Sequence, residues 1–464
     1  MDKIKFGTDG WRGVISDNFT FENVRRVASA IADYYRMHST SPFRIAVGYD
    51  TRFLSSTYAR LVAEVLSSKG IEVLLSNRYI PTPVLSFVTR ELNLTCGVMI
   101  TASHNPAQYN GIKIKTSQGG AAGLEVTSQI EKIVNKRKNI IYKGKCGEIK
   151  MMDFIPSYIK FLRQYINLER LKDKKYNVLV DAMYGSGDSF MGEVIKGTEI
   201  KLDFIRNELN PGFGGLRPEP VLENLLPSIQ KLKEKKYDLG LVLDGDADRI
   251  AGFLGDSSFL HPQKILGLLA LHLVRNRKFK GGIVKTIVGT TLIDKITQKL
   301  GLKLYETSVG FKYISEIMQK DDVLIGGEEA GGIGFKGYIP ERDGTLAGLL
   351  LLEMMAYEEK PMAEILKNME KEFGRYFYAR EDIKLDKPLS FKLYQRFKKI
   401  KSVLGKNVVE IKDYDGIKLI CEDESWVMVR LSGTEPLIRF YAEAKDADKA
   451  HDLIKFAKKC FITS

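Results

Sequence analysis

Short apolar runs alternate with amphipathic stretches over roughly the first 360 residues of the chain. The runs RIAVGY (44–49), GVMIT (97–101), NVLVDA (177–182), DLGLVLD (238–244) and GGIVKT (281–286) are nearly continuous in apolar residues. That is the pattern of strands buried on both faces. SSTYARLVAEVLSSKG (55–70) and PQKILGLLALHLVRN (262–276) space their apolar residues for amphipathic helices. Strands alternating with helices predict α/β layers with largely parallel pairing. Ligands in such sheets gather at the C-terminal ends of the strands. From EKEFGRYFY (370–378) onward the pattern changes. VVEIKDYDGIKLICED and SWVMVRLSGTEPLIRFYAEA read as antiparallel strands, and DADKAHDLIKFAKKC reads as a closing helix.

A chain of 464 residues is too long for a single core and calls for three or four units of ~100–150 residues each. The expected organisation is three mixed α/β domains, 1–148, 149–252 and 253–368, followed by a smaller α+β domain at 369–464. The first break lies in the polar, Lys-rich stretch 135–150, the second after DGDADRIAGF (244–253) and the third near EKEFGRYFY.

Charge changes the picture only slightly. Lys plus Arg is 71 against 58 for Asp plus Glu, a formal net charge of +13. The basic residues come in short groups such as NKRKN (135–139) and KEKK (233–236), with no long basic tail or aromatic-interleaved stripe. A solvated Lys-rich surface accounts for most of this charge, and nucleic acid is disfavoured as a partner. No apolar run reaches the ~20 residues that cross a membrane, and MDKIKFGTDG has no apolar signal region. Cys96, Cys146, Cys421 and Cys460 lie far apart with no Cys-x-x-Cys pair. A cytoplasmic protein with no membrane partner is the expectation.

Four loops carry candidate chemistry. In DGDADR, directly after the apolar LGLVL, Asp244, Asp246 and Asp248 crowd three carboxylates together. Such crowding calls for a cation, and hard oxygens suit Mg²⁺ or Ca²⁺; a solvated Asp-rich turn is the alternative. The EF-hand spacing fails: the sixth position from Asp244 is Arg249 where Gly is needed, and the twelfth is Gly255 where Glu is needed. Arg249 could grip an anion beside the acids. TASHNP (101–106) follows the strand-like GVMI, so Ser103 should project from a strand end. His104 is its sequence neighbour, which makes a simple Ser–His dyad doubtful. Lys113 and Lys115 of NGIKIK return to the same strand end as base or phosphate clamp. GTDGWRG near the N-terminus brings Arg12, and RLSGTEP near the C-terminus brings Arg430, Ser432, Gly433 and Thr434, with Arg439 on the next strand. Guanidinium, hydroxyl and Gly-rich backbone together suit phosphate, although a solvent-facing hairpin would look the same. There is no Walker A motif and no complete G-x-G-x-x-G.

FGTDGWRG, TASHNP, DGDADR, GGEEAGG and RLSGTEP, in this order and spread over the whole chain, resemble the α-D-phosphohexomutase family of phosphoglucomutases and phosphomannomutases. The resemblance implies three similar α/β domains and a fourth α+β domain around a central cleft, each giving one loop. By this likeness Ser103 is a phosphoserine, and its phosphate joins Asp244, Asp246 and Asp248 around one Mg²⁺ per chain. Arg12, His104, Lys113 and Arg249 would line the reaction centre. Glu328 would contact sugar hydroxyls with Lys312 near the ring, and Arg430, Ser432, Gly433, Thr434 and Arg439 would hold the non-reacting phosphate. The implied enzyme is an isomerase for a small phosphosugar, interconverting glucose 1-phosphate and glucose 6-phosphate, with glucose 1,6-bisphosphate as intermediate and activator. TSVGFK (307–312) looks glucose-preferring, while Ala330 stands where many relatives carry Ser. The alternatives are a phosphomannomutase, an enzyme for both sugars, a phosphoglucosamine mutase, or a non-catalytic phosphosugar binder. The last has no use for Ser103.

Overall fold

The computed structural model describes residues 3–38, 43–136, 144–187, 190–385, 391–431 and 437–462. The described residues form four sheets. The first is built from β1 (Trp11–Val14), β2 (Arg44–Tyr49), β3 (Glu72–Ser76), β4 (Cys96–Ile100), β5 (Tyr109–Thr116) and β6 (Ile149–Met152). The second holds β7 (Asn177–Asp181), β8 (Lys201–Ile205), β9 (Leu239–Leu243), β10 (Ile250–Leu254) and β11 (Phe259–Leu260). The third holds β12 (Gly282–Thr286), β13 (Leu304–Thr307), β14 (Val323–Gly327) and β15 (Ile333–Phe335). The fourth holds β16 (Phe377–Lys384), β17 (Ser402–Val403), β18 (Lys406–Lys412), β19 (Ile417–Cys421), β20 (Trp426–Leu431) and β21 (Leu437–Ala444).

The first three sheets share one four-strand pattern. Their orders contain β3-β2-β4-β5, β8-β7-β9-β10 and β13-β12-β14-β15. In each, the first three strands in sequence pair in parallel and the fourth returns antiparallel beside the third. The third strands, β4, β9 and β14, are buried along their whole length, which explains why they read as unbroken apolar runs. The turn from third to fourth strand holds TASHNP in the first unit, DGDADR in the second and EEAGG in the third. A repeated topology thus presents three chemically different loops at equivalent strand ends. The fourth sheet is antiparallel throughout and closes with the helix Ala447–Ile462.

The expected α/β elements and the α+β end are present, but the unit boundaries shift. Ile149–Met152, placed at the start of the second unit, pairs in parallel with β3 and closes the first sheet. Its side chains are mostly exposed, so it carried no hydrophobic signal. The break at 252 falls inside β10, and β11 joins the same sheet. The break at 368 falls inside the helix Met362–Phe373, which packs on the third unit's helices.

One apolar core runs through the first three units, the first unit holds a second one, and the fourth has its own. The helix Gly344–Glu358 is buried around its first three turns and packs against second- and third-unit elements. A helix apolar on all sides needs neighbours on all sides. Asp343 caps it by accepting from Leu346 N at 2.8 Å. Ile287 and Val288 meet Trp426, Met428 and Tyr441 in a separate cluster that seals the fourth unit onto the third.

Candidate active site

Ser103 lies at φ 51° in the β4–β5 loop, and its backbone N donates to Thr101 Oγ1 at 2.9 Å. Its hydroxyl donates across the unit boundary to Asp244 Oδ2 at 3.0 Å, with His104 Nδ1 3.4 Å away. Asp244 is held by the backbone of its own loop: its Oδ1 accepts from Asp248 N at 3.0 Å and Arg249 N at 3.1 Å. Lys113 reaches over from β5 and donates to Asp246 Oδ2 at 2.8 Å and Asp248 Oδ2 at 2.9 Å. Thr82 also binds this loop, through Oγ1 to Asp246 Oδ2 at 2.5 Å and through N to Asp246 O at 3.0 Å.

The charges are unusual for a buried place. Ser103 and Lys113 are 1% exposed and the three aspartates 0%. Burial and the charges of Asp248 and Asp246 push the Asp244 carboxyl well above the usual range. Asp246 goes the other way: burial would raise it, but Lys113 and Thr82 bind it directly and hold it low. Lys113 likewise stays above its ordinary value, because Asp246, Asp248 and Asp9 outweigh the cost of burial. It is therefore a protonated clamp in this state and not a free base. His104 is pushed well below its ordinary value by burial and by Arg249, Arg12, Arg380 and Lys113, so its imidazole is neutral.

The three aspartates can each offer an oxygen within 4.8 Å of the others. Asp246 Oδ1 and Asp248 Oδ1 are buried with no hydrogen-bond partner among the described residues, an arrangement that leaves hard oxygens waiting for a cation. Three carboxylates with a hydroxyl beside them match Mg²⁺ in ligand type. The donor set fits that metal.

Around this centre the structure gathers several of the sequence candidates. Arg12, on β1, donates through Nη1 to Asn105 Oδ1 of the serine loop. Arg249 Nε lies 4.0 Å from Asp244 and 3.9 Å from Asp248, without a hydrogen-bond partner among the described residues. Glu328, just after β14, is pushed up by burial while Arg342 and Arg249 pull it down. Lys312 sits in the first turn of the helix Phe311–Lys320, and burial lowers it. Arg430 and Arg439 stand directly opposite one another on β20 and β21. Arg430 Nε donates to Asp415 Oδ1 at 2.8 Å, and Arg439 pairs with Asp382 at 3.3 Å. These two belong to the fourth sheet, apart from the contacts around Ser103. Ser432, Gly433 and Thr434 lie outside the described residues.

Two further residues tie the loops together. Arg342 donates through Nη2 to Asp9 Oδ2 at 2.7 Å, pairs with Asp248 Oδ2 at 2.7 Å and donates through Nη1 to Glu328 Oε2 at 3.1 Å. One guanidinium thus bridges the first, second and third units. Asp9, from GTDGWRG, also pairs with Lys113 at 2.8 Å. The GTDGWRG segment was legible in the sequence through Arg12, whereas Asp9 and Arg342 were not. A partner 333 positions away leaves no local pattern.

A buried hydroxyl set in an acidic cluster, ringed by Arg and Lys and built from equivalent loops of repeated α/β units, is suited to phosphoryl transfer beside a divalent cation. Sequence comparison agrees. Models described as phosphoglucomutase/phosphomannomutase alpha/beta/alpha domains I, II and III match residues 3–140, 156–256 and 261–373, and the C-terminal domain matches 383–458. The chain belongs to the phosphoglucomutase/phosphomannomutase family of α-D-phosphohexomutases. It is 32% identical over 464 residues to a phosphoglucosamine/phosphogalactosamine mutase of Sulfurisphaera tokodaii, covering 99% of both chains. It is 29% identical to a phosphoglucomutase/phosphomannomutase of Thermococcus kodakarensis, covering 99% of this chain and 98% of that one. A crystal structure from Thermus thermophilus carrying the phosphomannomutase name superposes with TM-score 0.87 at 35% identity over 99% of each chain.

Proposed function

We propose that the protein interconverts glucose 1-phosphate and glucose 6-phosphate through a phosphoryl group carried on Ser103. The observation that carries this reading is the 3.0 Å hydrogen bond from Ser103 Oγ to Asp244 at the acidic triad. Asp244, Asp246 and Asp248, with an oxygen of the serine phosphate, would hold one Mg²⁺, which when bound neutralises phosphoryl charge. The rest of the chemistry falls to the chain itself.

Transfer breaks the P–Oγ bond of phosphoserine and forms a P–O bond to the free hydroxyl of the sugar monophosphate. The loose transition state asks for charge compensation more than for a strong base. Lys113, Arg12 and Arg249 supply positive charge, and the neutral His104 beside Ser103 would relay the proton of the attacking sugar hydroxyl to Oγ as the P–Oγ bond breaks. The resulting glucose 1,6-bisphosphate turns end for end and returns its other phosphoryl to Oγ. Glu328 and Lys312 would contact the ring. Arg430 and Arg439, with Ser432, Gly433 and Thr434, would bind the phosphate that is not reacting. The same bisphosphate would recharge an enzyme that has lost its phosphoryl group.

An amino-sugar substrate is the second reading, favoured by the name of the Sulfurisphaera relative. Glucose and mannose differ only at the 2-hydroxyl, and a site that hydrogen-bonds one hydroxyl rejects its analogue strongly. We expect kcat/KM for glucose 1-phosphate to exceed that for mannose 1-phosphate by about tenfold or more. Assays with Mg²⁺ on the 1-phosphates of glucose, mannose and glucosamine decide this. A highest value for glucosamine 1-phosphate would move the assignment to the amino sugar, and equal values for glucose and mannose would make the enzyme bifunctional.

A further inference from the structure

The Ser103 loop is folded around a guanidinium from a different loop of the same sheet. Arg52 follows β2 at its C-terminal end and is 3% exposed. Its Nη2 donates to the carbonyl oxygens of Ser103 at 2.5 Å and Asn105 at 2.6 Å. Its Nη1 donates to those of Pro106 at 2.9 Å and Tyr109 at 3.1 Å. Asp50 holds Arg52 from the other side: Oδ2 lies 3.3 Å from Nε, and Oδ1 accepts from Arg52 N at 3.0 Å. Asp50 Oδ2 also accepts from Thr101 Oγ1 at 2.5 Å, and Thr101 Oγ1 in turn accepts from Ser103 N. The Phe213 ring of the second unit covers the guanidinium 4.8 Å from its centroid.

A serine at φ 51° sits in the left-handed region, which a residue with a Cβ occupies only where its surroundings insist on it. Here the surroundings are four carbonyls of one loop bound by one planar fork. A guanidinium has five donors fixed in a plane, whereas an ammonium offers three from a single point. The hydrogen bonds of Arg52 run to backbone carbonyls and not to Ser103 Oγ, so its effect on the hydroxyl passes through the loop.

We propose that Arg52 is a positioning residue for phosphoryl transfer, clamping the carbonyls of Ser103, Asn105, Pro106 and Tyr109 and so aiming Ser103 Oγ at the acceptor. This rests on Ser103 being the phosphoryl carrier. Misplacing a reacting atom by about an ångström costs on the order of a hundredfold in rate.

The test is single-turnover transfer from phosphorylated enzyme to glucose 1-phosphate. Arg52→Lys keeps the buried charge opposite Asp50 but loses the fork. Transfer should slow at least about 30-fold while KM stays within roughly threefold, because no sugar contact is touched. The double variant Asp50→Asn, Arg52→Gln removes both buried charges and should show the same split. Transfer within about threefold of wild type in either folded variant would overturn the proposal. So would loss of the fold in both, which would assign Arg52 to the core of the first unit alone. A phosphopeptide measurement on the wild type separates the two levels. Absence of phosphate on Ser103 removes the carrier reading itself, while a phosphorylated Ser103 with unimpaired transfer in Arg52→Lys overturns only the role of Arg52.

Discussion

Ser103 has a hydroxyl donating to one carboxylate and a backbone carbonyl that accepts from Arg52 Nη2. Ser103→Ala should abolish mutase turnover and leave the melting temperature nearly unchanged, because the lost atom is a single buried oxygen. Phosphate should be found on Ser103 in the active wild-type enzyme by mass spectrometry, and full activity of the alanine variant would sink the mechanism. Gly245 shows how tightly the loops meet. A Cβ there would stand 2.5 Å from Ser103 O and 3.0 Å from Pro218 Cγ. Real side chains do not approach a carbonyl that closely, so Gly245→Ala must push the metal-site loop away from the serine loop. We expect kcat to fall by about tenfold or more, with a stability loss of roughly 1–3 kcal/mol from overpacking. Unchanged kcat would mean that the loops can separate at no catalytic cost.

At the scale of elements, the three repeated strand patterns account for why the candidate loops converge. Each loop leaves the strand beside a parallel centre and returns antiparallel, so all three open toward the same side of their sheets. The fourth sheet contributes differently, from two facing arginines on β20 and β21. Arg430 is half-committed to Asp415, whose other oxygen accepts from Val309 N of the third unit at 2.7 Å. Arg430→Ala should weaken phosphosugar binding by about 10- to 100-fold, the cost of one charge-assisted phosphate contact at roughly 1.5–3 kcal/mol. Some loss in kcat should accompany it, because a phosphate held on this sheet helps draw the fourth unit onto the others. Steady-state kinetics with unaltered KM and kcat would reduce the RLSGTEP turn to a hairpin.

For the whole molecule, Ser103 and the three aspartates are almost wholly buried in this state. Opening of the units would admit a phosphosugar to Ser103, and excluding water afterwards would protect a phosphoryl group there from hydrolysis. The seam between third and fourth units holds a buried cation. Lys418 donates to Ile287 O at 2.7 Å, and its Nζ lies 3.9 Å from the centre of the Trp426 ring. Burial, with Lys285 adding repulsion, lowers Lys418 to about 7. A lysine depressed on folding releases a proton, so its share of stability is present above its unfolded value near 10.5 and is lost as pH falls toward about 7. Between pH 10 and pH 7 the wild type should therefore lose stability relative to Lys418→Met, by roughly 3–4 kcal/mol. Thermal unfolding of both proteins across that range measures it, and a stability difference independent of pH would rule out the titration of Lys418.

Much of this was written locally. The buried strands announced themselves as unbroken apolar runs, the fourth unit by its change of pattern, and the chemistry by two hexapeptides, TASHNP and DGDADR. Such features depend on neighbours in the chain, so the chain alone determined them. The edge strand Ile149–Met152 was not legible, because an exposed strand is specified by backbone pairing with β3 and not by hydrophobic side chains. Nor were Arg52, Arg342 and Asp9 legible as parts of the site. Each is one polar residue whose partners are distant in sequence, and an ordinary surface arginine or aspartate would look the same. Only the packed units decided that Arg342 would meet three carboxylates from three loops, and that Arg52 would be enclosed by the turn that carries Ser103. Burial then turned the same charges from solvated groups into paired ones, because a charge removed from water persists only beside its opposite.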